Sequence, residues 1–295
     1  MSVFANKRLV IFGCGYVGTA VALRAAAEGG RVVALTRNAA SAVVLREQAI
    51  ETVVADLASD DWHAAIPAPE LVLNCVSSGG GGAAGYRHSY VDGMRSVMAW
   101  ARRHGPVGTI VYTSSTSVYP QGGGVTVDET APLDWSGGDD AARLLIAAED
   151  ALREAAGAAQ RWFILRLAGI YGPGRHHLLE QVKSGEVSGS PETRLNLIHR
   201  DDIATAIEAC FGAPPALANE VFNVVDGSPA RKSEVVAWLA ARLGAPVPRF
   251  SGTAGIRRRV TPDRIISNRK LCATFEWRPR FASYREGYSA ILHDG

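Results

Sequence analysis

The chain has little of what marks many classes of protein. Its 295 residues include four cysteines, at positions 14, 75, 210 and 272. None forms a CxxC pair, so neither a disulfide framework nor a zinc site is indicated, and the spacing suits a reducing compartment. Small buried apolar roles are expected for them. No apolar run approaches the ~18 residues of a membrane span and the N-terminus carries no signal-peptide pattern, so a cytoplasmic location without a membrane partner is expected. Neither sign of charge is in excess: 31 Lys and Arg face 29 Asp and Glu, a formal +2. The densest basic cluster, Arg257-Arg258-Arg259, reads as a surface turn, which argues against a nucleic-acid partner. Low-complexity sequence is confined to the glycine runs Gly79 to Gly82 and Gly122 to Gly124, and no internal repeat is found. With 47% hydrophobic residues, a chain of this length can bury a large core, as one large or two closely joined domains.

Against that background, residues Arg8 to Gly18 stand out. They read RLVIFGCGYVG, a short apolar run that breaks into Gly13-Cys14-Gly15-Tyr16-Val17-Gly18 before an alanine-rich helical stretch. Such a turn suits a dinucleotide. The first glycine supplies the tight bend, the second lets the backbone approach a pyrophosphate, and the third lets helix and strand pack closely. The helix N-terminus then faces the phosphates, where its N–H groups and dipole favour negative charge. A second apolar strand, Arg31 to Leu35, completes a unit of ~30 residues. It ends in Thr36-Arg37-Asn38, with no acid to accept hydrogen bonds from an NAD ribose. A guanidinium suits a 2'-phosphate, so Arg37 argues for NADP(H) over NAD(H); the alternative is a solvated loop arginine.

Strands and helices continue to alternate. A helix is expected over Ala39 to Gln48, then a strand from Ile50 to Ala55 closed by Asp56-Leu57, where an aspartate commonly sits near a bound adenine. Further apolar runs cover Leu71 to Val76 and Thr109 to Thr113, with a helix from about Tyr86 to His104 between them. Trp162 to Leu167 and Glu220 to Val225 read as later strands, and Ser233 to Leu243 as an amphipathic helix. The pattern predicts an α/β fold with a doubly wound parallel sheet. Ligands in such sheets lie beyond the carboxyl ends of the strands, which gives weight to Asn74 and to the residues after Thr113.

Five segments in order then resemble the extended short-chain dehydrogenase/reductase superfamily, in particular its NAD(P)-dependent epimerase/dehydratase proteins. They are the glycine loop, Tyr112 to Pro120 (YTSSTSVYP), Leu165 to Gly174 (LRLAGIYGPG), Asn196 to Ile203 (NLIHRDDI) and Val221 to Gly227 with Pro229 (VFNVVDGSP). The ending Asn268 to Leu271 through Trp277 to Arg280 is similar to the tail of those proteins. The resemblance implies a Rossmann domain over 1–171 and 196–228 and a smaller substrate-binding cap over 172–195 and 229–295, with a small-molecule substrate between them. It implies cofactor contacts from Gly13 to Gly18, Thr36, Arg37, Asp56, Leu57, Asn74 and Ser115. It also implies a homodimer through helices near 86–104 and 139–157.

In such enzymes a hydride moves between substrate carbon and nicotinamide, a tyrosine exchanges the hydroxyl proton, a lysine one helical turn later lowers that tyrosine's pKa, and a serine or threonine binds the substrate oxygen. Ser115 matches the serine in the pattern SxxVY, or is a turn hydroxyl. The Tyr-x-x-x-Lys pair is missing. Ala141 and Leu145 occupy its places, and no tyrosine or lysine lies between Pro120 and Arg161. This departure is similar to that of the divergent members called atypical. Tyr119, Tyr171 and His199 are alternative proton-transfer groups, against packing roles for the two phenols and a helix-capping role for Asp201 and Asp202 beside His199. Asp139 with Arg143 is a weaker pair, since Asp139 reads first as a helix N-cap. Arg175, His176 and His177 form either an anionic-substrate contact or a solvated loop, and without a nearby carboxylate the histidines make no metal motif. Two functions stay open: an NADP-dependent reductase, epimerase or dehydratase of small polar or sugar-like substrates, or an inactive NADP(H)-sensing protein.

Overall fold

A computed structural model of the chain describes residues 2–135, 140–251 and 262–294. Asp139 and the cluster Arg257 to Arg259 lie outside the described residues. Seven strands form one sheet: β1 (Arg8–Phe12), β2 (Arg31–Thr36), β3 (Glu51–Val54), β4 (Leu71–Asn74), β5 (Val107–Ser115), β6 (Ala159–Leu167) and β7 (Glu220–Val224). Their order is β7-β6-β5-β4-β1-β2-β3, and the pairings among β1 to β5 are parallel. The chain winds outward from β1 through β2 to β3 and then resumes at β4 on the other side of β1. That reversal opens a crevice between the exits of β1 and β4, the position at which doubly wound sheets bind ligands.

The helices, in chain order, are α1 (Tyr16–Ala27), α2 (Ala39–Glu47), α3 (Gly82–Tyr86), α4 (Gly93–Arg103), α5 (Asp140–Arg153), α6 (His177–Lys183), α7 (Arg200–Phe211), α8 (Lys232–Leu243), α9 (Arg269–Phe275) and α10 (Tyr284–Asp294). The single helix expected from Tyr86 to His104 is broken. Arg87–Asp92 forms a π-helical turn between α3 and α4. The apolar periodicity gives no sign of the change because the extra residue shifts the phase by less than a third of a turn. Helix α2 starts where expected because the Asn38 side chain accepts hydrogen bonds from the N–H groups of Ala40 and Ser41.

Two compact units result: Met1–Val118, Leu133–Arg166 and Ala204–Phe222 form the first, and Tyr119–Pro132, Leu167–Ile203 and Asn223–Gly295 the second. In the first, Phe12 packs on Trp62 and Trp100 at ring-centroid distances of 4.9 and 5.4 Å. Both indoles are buried and satisfied, donating to the carbonyls of Leu57 and Ile66. In the second, a parallel ribbon pairs Leu197–His199 with Gly169–Tyr171. Its core joins Tyr171, Leu179, Val235, Leu239 and Tyr288.

A polar network centred on α5 interrupts the apolar interior of the first unit. Glu149 of α5 is fully buried. It accepts hydrogen bonds from the Ser114 hydroxyl (2.6 Å), from Arg166 of β6 (2.7 and 3.0 Å) and from Arg153 (2.7 Å). Burial pushes its carboxyl up, but the Arg166 guanidinium, the Ser114 hydroxyl and Arg153 outweigh that and hold it below the usual range. A single truncation that strands a buried charge costs about 3–5 kcal/mol. We therefore expect Glu149→Ala to lower the urea-unfolding free energy by about that much, because Arg166 loses its buried counter-charge; a loss below about 1 kcal/mol, the surface-pair range, is the contrary result.

Candidate active site

The crevice between β1 and β4 begins at Gly13. Its φ is +80°, and a Cβ there would lie 2.5 Å from Val76 Cα, so only glycine fits both backbone and space. A Cβ at Gly18 would meet Cys75 Sγ and the Gly13 carbonyl oxygen, each at 2.9 Å. Gly15 differs. It is exposed, and the nearest atom to its Cβ position is 3.9 Å away, which leaves its backbone open to a ligand. Helix α1 starts directly after it at Tyr16 with no side-chain cap and no acidic residue in the first turn, an arrangement that suits a pyrophosphate. Cys14 and Val17 are buried, and burial pushes the Cys14 thiol up to about 11. Four features of the chain thus fit a dinucleotide: the tight Gly13 bend, the close Gly18 contact, the open Gly15 backbone and the uncapped helix start.

The neighbouring strand exits complete the rim. Arg37 is exposed at the end of β2, and its guanidinium donates to the Ser78 carbonyl in the loop after β4 (3.3 Å). The same loop carries four consecutive positive-φ glycines, Gly79 to Gly82, and a Cβ at Gly79 would collide with the Arg37 guanidinium. Asp56 sits opposite, its carboxylate 2.8 Å from the His88 ring. Burial opposes its ionisation, but His88, the Ala58 N–H and Arg37 together hold the carboxyl low. Thr36 accepts the Asn38 N–H, Leu57 is buried against the tryptophan cluster, and Asn74 is buried with its amide directed at Met94. Sequence reasoning missed Ser78 and His88. A polar residue inside a glycine run and a histidine on an expected helix carry no distinguishing signal.

Ser115 is the last residue of β5 rather than the first beyond it. It is half-buried, and its oxygen accepts the Ser117 N–H (3.2 Å), the turn contact weighed from the sequence. Because strand side chains alternate, the anchored Ser114 fixes the opposite orientation of Ser115. Helix α5 packs against both the turn after Ser115 and the π turn. At its start Ala141 is half-buried and Leu145 is buried, so neither place offers a proton.

The other singled-out residues belong to the second unit. Tyr119 is fully buried, and its hydroxyl donates to Asn223 Oδ1 (2.8 Å). Tyr171 and His199 come together, edge to face at 5.3 Å, with Tyr171 also stacked on Tyr288. Burial, reinforced by Asp226 and Asp202, pushes the Tyr171 phenol far up. Burial pulls His199 down, toward the neutral ring, and its Nδ1 accepts the Asp201 N–H at the start of α7. Asp202, expected as a cap, instead accepts the backbone N–H groups of Arg280 and Phe281 (2.7 and 3.1 Å). His176 is the residue just before α6 and does have a nearby carboxylate, Glu180 at 3.3 Å, which corrects the expectation that none is near. Arg175 is exposed in a turn bridged to Gly172. Among the described residues no group of three or more His, Cys, Asp or Glu side chains could hold a metal ion, and no helix is long and apolar enough to cross a membrane.

The sequence also overlooked Asp226. It is buried, one carboxylate oxygen accepts the Ser228 N–H, and Oδ2 has no partner. Burial, with Asp202 and Glu286 adding repulsion and Ser228 opposing, pushes it up to about 7. The native state therefore keeps a proton that the unfolded chain releases above its ordinary value of 3.8. Stability falls as pH rises from there to about 7 and is level above it. Asp226→Asn should raise Tm at pH 8 and leave it unchanged at pH 4 in paired thermal melts; equal shifts at both pH values would contradict this.

The NAD dependent epimerase/dehydratase family matches residues 9–224. The chain belongs to this family. A curated relative, Protein YeeZ of Escherichia coli K12, is 26% identical over 272 residues, covering 90% of this chain and 93% of its own length. Among solved structures, the UDP-glucose 4-epimerase of Thermotoga maritima with UDP-glucose superposes with a TM-score of 0.83 at 16% identity, covering 97% of this chain and 99% of the other. The Bordetella bronchiseptica enzyme WbmG with NAD and UDP gives 0.81 at 17%, covering 98% and 94%. At these identities the likeness is one of fold.

Proposed function

We propose that the protein is an NADP(H)-preferring enzyme that interconverts an alcohol and a carbonyl on a small polar or sugar-like substrate, through an active site without the Tyr-x-x-x-Lys pair. The observation that carries the reading is Arg37, with its guanidinium tied to the Ser78 carbonyl at the rim of the glycine crevice and no acid at the end of β2. A planar cation recognises a 2'-phosphate, whereas a ribose diol calls for a carboxylate. Gly13, Gly15, Gly18 and the start of α1 would hold the pyrophosphate, and Asp56 would border the adenosine. A bound nicotinamide supplies the hydride chemistry. The residues of this chain orient the substrate, and the Ser115 hydroxyl donates to its oxygen, which favours charge developing there. The nucleotide-bearing ligands named for the Bordetella and Thermotoga proteins support a sugar nucleotide as the first substrate class to try. Ala141 and Leu145 favour the second reading, a sensor that binds NADP(H) without turnover.

Calorimetric titration should give tighter binding of NADP(H) than NAD(H). Arg37→Ala should remove most of that difference, by about tenfold or more, as expected for a charge-assisted contact of 1.5–3 kcal/mol. An unchanged ratio would reject the role of Arg37. Incubation with NADPH and a panel of carbonyl compounds and sugar nucleotides should give cofactor oxidation or sugar interconversion. Ser115→Ala should lower kcat by about 10²–10³-fold. Tight cofactor binding with no turnover across the panel selects the sensor.

A further inference from the structure

An alcohol–carbonyl interconversion needs a proton at the substrate oxygen, and α5 carries Ala141 and Leu145 at the places where the family resemblance puts the proton-transferring pair. The first unit nevertheless places phenols against this helix. Helix α5 packs on α3 and on the π turn Arg87–Asp92, which carry Tyr86 and Tyr90 with ring centroids 5.2 Å apart. Helical π insertions recur at functional sites because they re-aim a side chain at the cost of regular hydrogen bonding. Here the insertion holds Tyr90 half-buried, and the backbone N–H of Ser78 is near enough to its phenol to oppose the upward push of burial on it. Ser78 is the residue whose carbonyl holds Arg37, so Tyr90 is tied to the same loop that borders the cofactor crevice. That loop leaves β4 beside the exit of β5, where Ser115 lies, since Asn74 and Tyr112 are direct partners in the sheet.

The neighbouring groups are unsuited to the task. His88 is engaged with Asp56. Glu149 is ionised and enclosed by two arginines and Ser114. Tyr112 is fully buried in the core, its hydroxyl has no protein partner, and burial, with Tyr90 and Glu149 adding to it, pushes its phenol far up.

We propose that Tyr90 is the proton-transfer residue of this enzyme, an inference that rests on the reading given under Proposed function. In the reducing direction the carbonyl carbon gains a hydride, with the reduced dinucleotide as two-electron donor. The Tyr90 O–H bond breaks and its proton forms the alcohol O–H, while the nearby Ser78 N–H favours the phenolate until solvent returns a proton. In the oxidising direction the same phenolate accepts the alcohol proton. Burial, with Tyr86 nearby, pushes the Tyr90 phenol up and Ser78 opposes it, so the group is a protonated donor at neutral pH.

The test uses the full chain in two measurements. In the first, a ring-fluorinated tyrosine placed at position 90 is followed by fluorine NMR during titration with NADP+ and with NADPH. Both should move the resonance, and its pH titration should be displaced to lower pH with NADP+, whose positive ring favours the phenolate. In the second, Tyr90→Phe, which keeps the ring, should lower NADPH-dependent kcat by about 10²–10⁴-fold with KM little changed and abolish the alkaline fall of kcat, while Tyr86→Phe retains both. A resonance unmoved by either cofactor overturns the inference whatever the activity. A moved resonance with Tyr90→Phe turnover within threefold of the parent also overturns it and leaves the enzymatic reading intact. A moved resonance with no turnover by the parent on any panel compound defeats the enzymatic reading, and the proton-transfer role falls with it.

Discussion

The organisation of the first unit depends on how closely two strand exits approach each other. Where the winding reverses, the backbone after β1 lies against the backbone after β4 with no room for a side chain at Gly13, and α1 closes over the contact with none at Gly18. Gly13 N–H bonds Leu35, Cys75 N–H bonds Phe12, and the Cys75 thiol donates to the Gly13 carbonyl. These contacts lock the carboxyl ends of β1, β2 and β4 into one level. Arg37, Ser78 and Asp56, which come from three different loops, can then share a rim although the chain between them is long. A methyl group at Gly13 would force the two exits apart, and the rim would lose its register before the core felt the change.

A second constraint operates on the helix side. Helix α5 meets the sheet partly through a charge, since Glu149 is ionised inside the core and enclosed by Arg166, Arg153 and Ser114. Apolar packing slides at low cost, whereas a buried carboxylate with several donors accepts one geometry. Fixing Ser114 fixes Ser115, because adjacent strand residues face opposite ways. The helix is therefore needed to position the serine even though Ala141 and Leu145 give it no proton chemistry of its own. This separates two jobs that a single helix can otherwise combine: supporting the end of β5 and carrying the ionisable groups.

Much of the architecture was readable from apolar runs and glycine spacing. The bend at Gly13 and the start of α2 after Asn38 have local causes, a backbone angle and a side-chain cap, that leave a mark in the sequence, whereas the run read as a strand over Leu71 to Val76 ends two residues earlier, at Asn74. The family followed from the order of five motifs. Other features arise from contacts between distant segments. Glu149 reads as one more surface acid on an amphipathic helix until Arg166, from a strand, is placed beside it. Asp226 looks like a turn aspartate, and half of it is one, bonded to the Ser228 N–H; its unpartnered oxygen is decided by Asp202 and Glu286. The π turn also escaped, because inserting one residue leaves both flanking helical patterns intact.

The distribution of protons over the first unit limits where chemistry can occur. A group that is fully enclosed exchanges protons too slowly or too unfavourably to serve a catalytic cycle, and one that is fully solvated lacks the low-dielectric surroundings that make a proton transfer selective. Tyr112 and Glu149 stand at the first limit, one neutral and orphaned, the other ionised and fully paired. Arg37 stands near the second. Tyr90 occupies the interval between them, half-buried and with the Ser78 N–H near enough to favour its charged form. The π turn sets that position by offsetting the segment from the regular helical path. A substitution that converted the turn to regular helix would rotate Tyr90 relative to Ser78 without altering a single residue of the glycine loop. On the proposed reading, cofactor binding and proton transfer would be set by different structural devices, one by the close packing of strand exits and the other by an irregular helix.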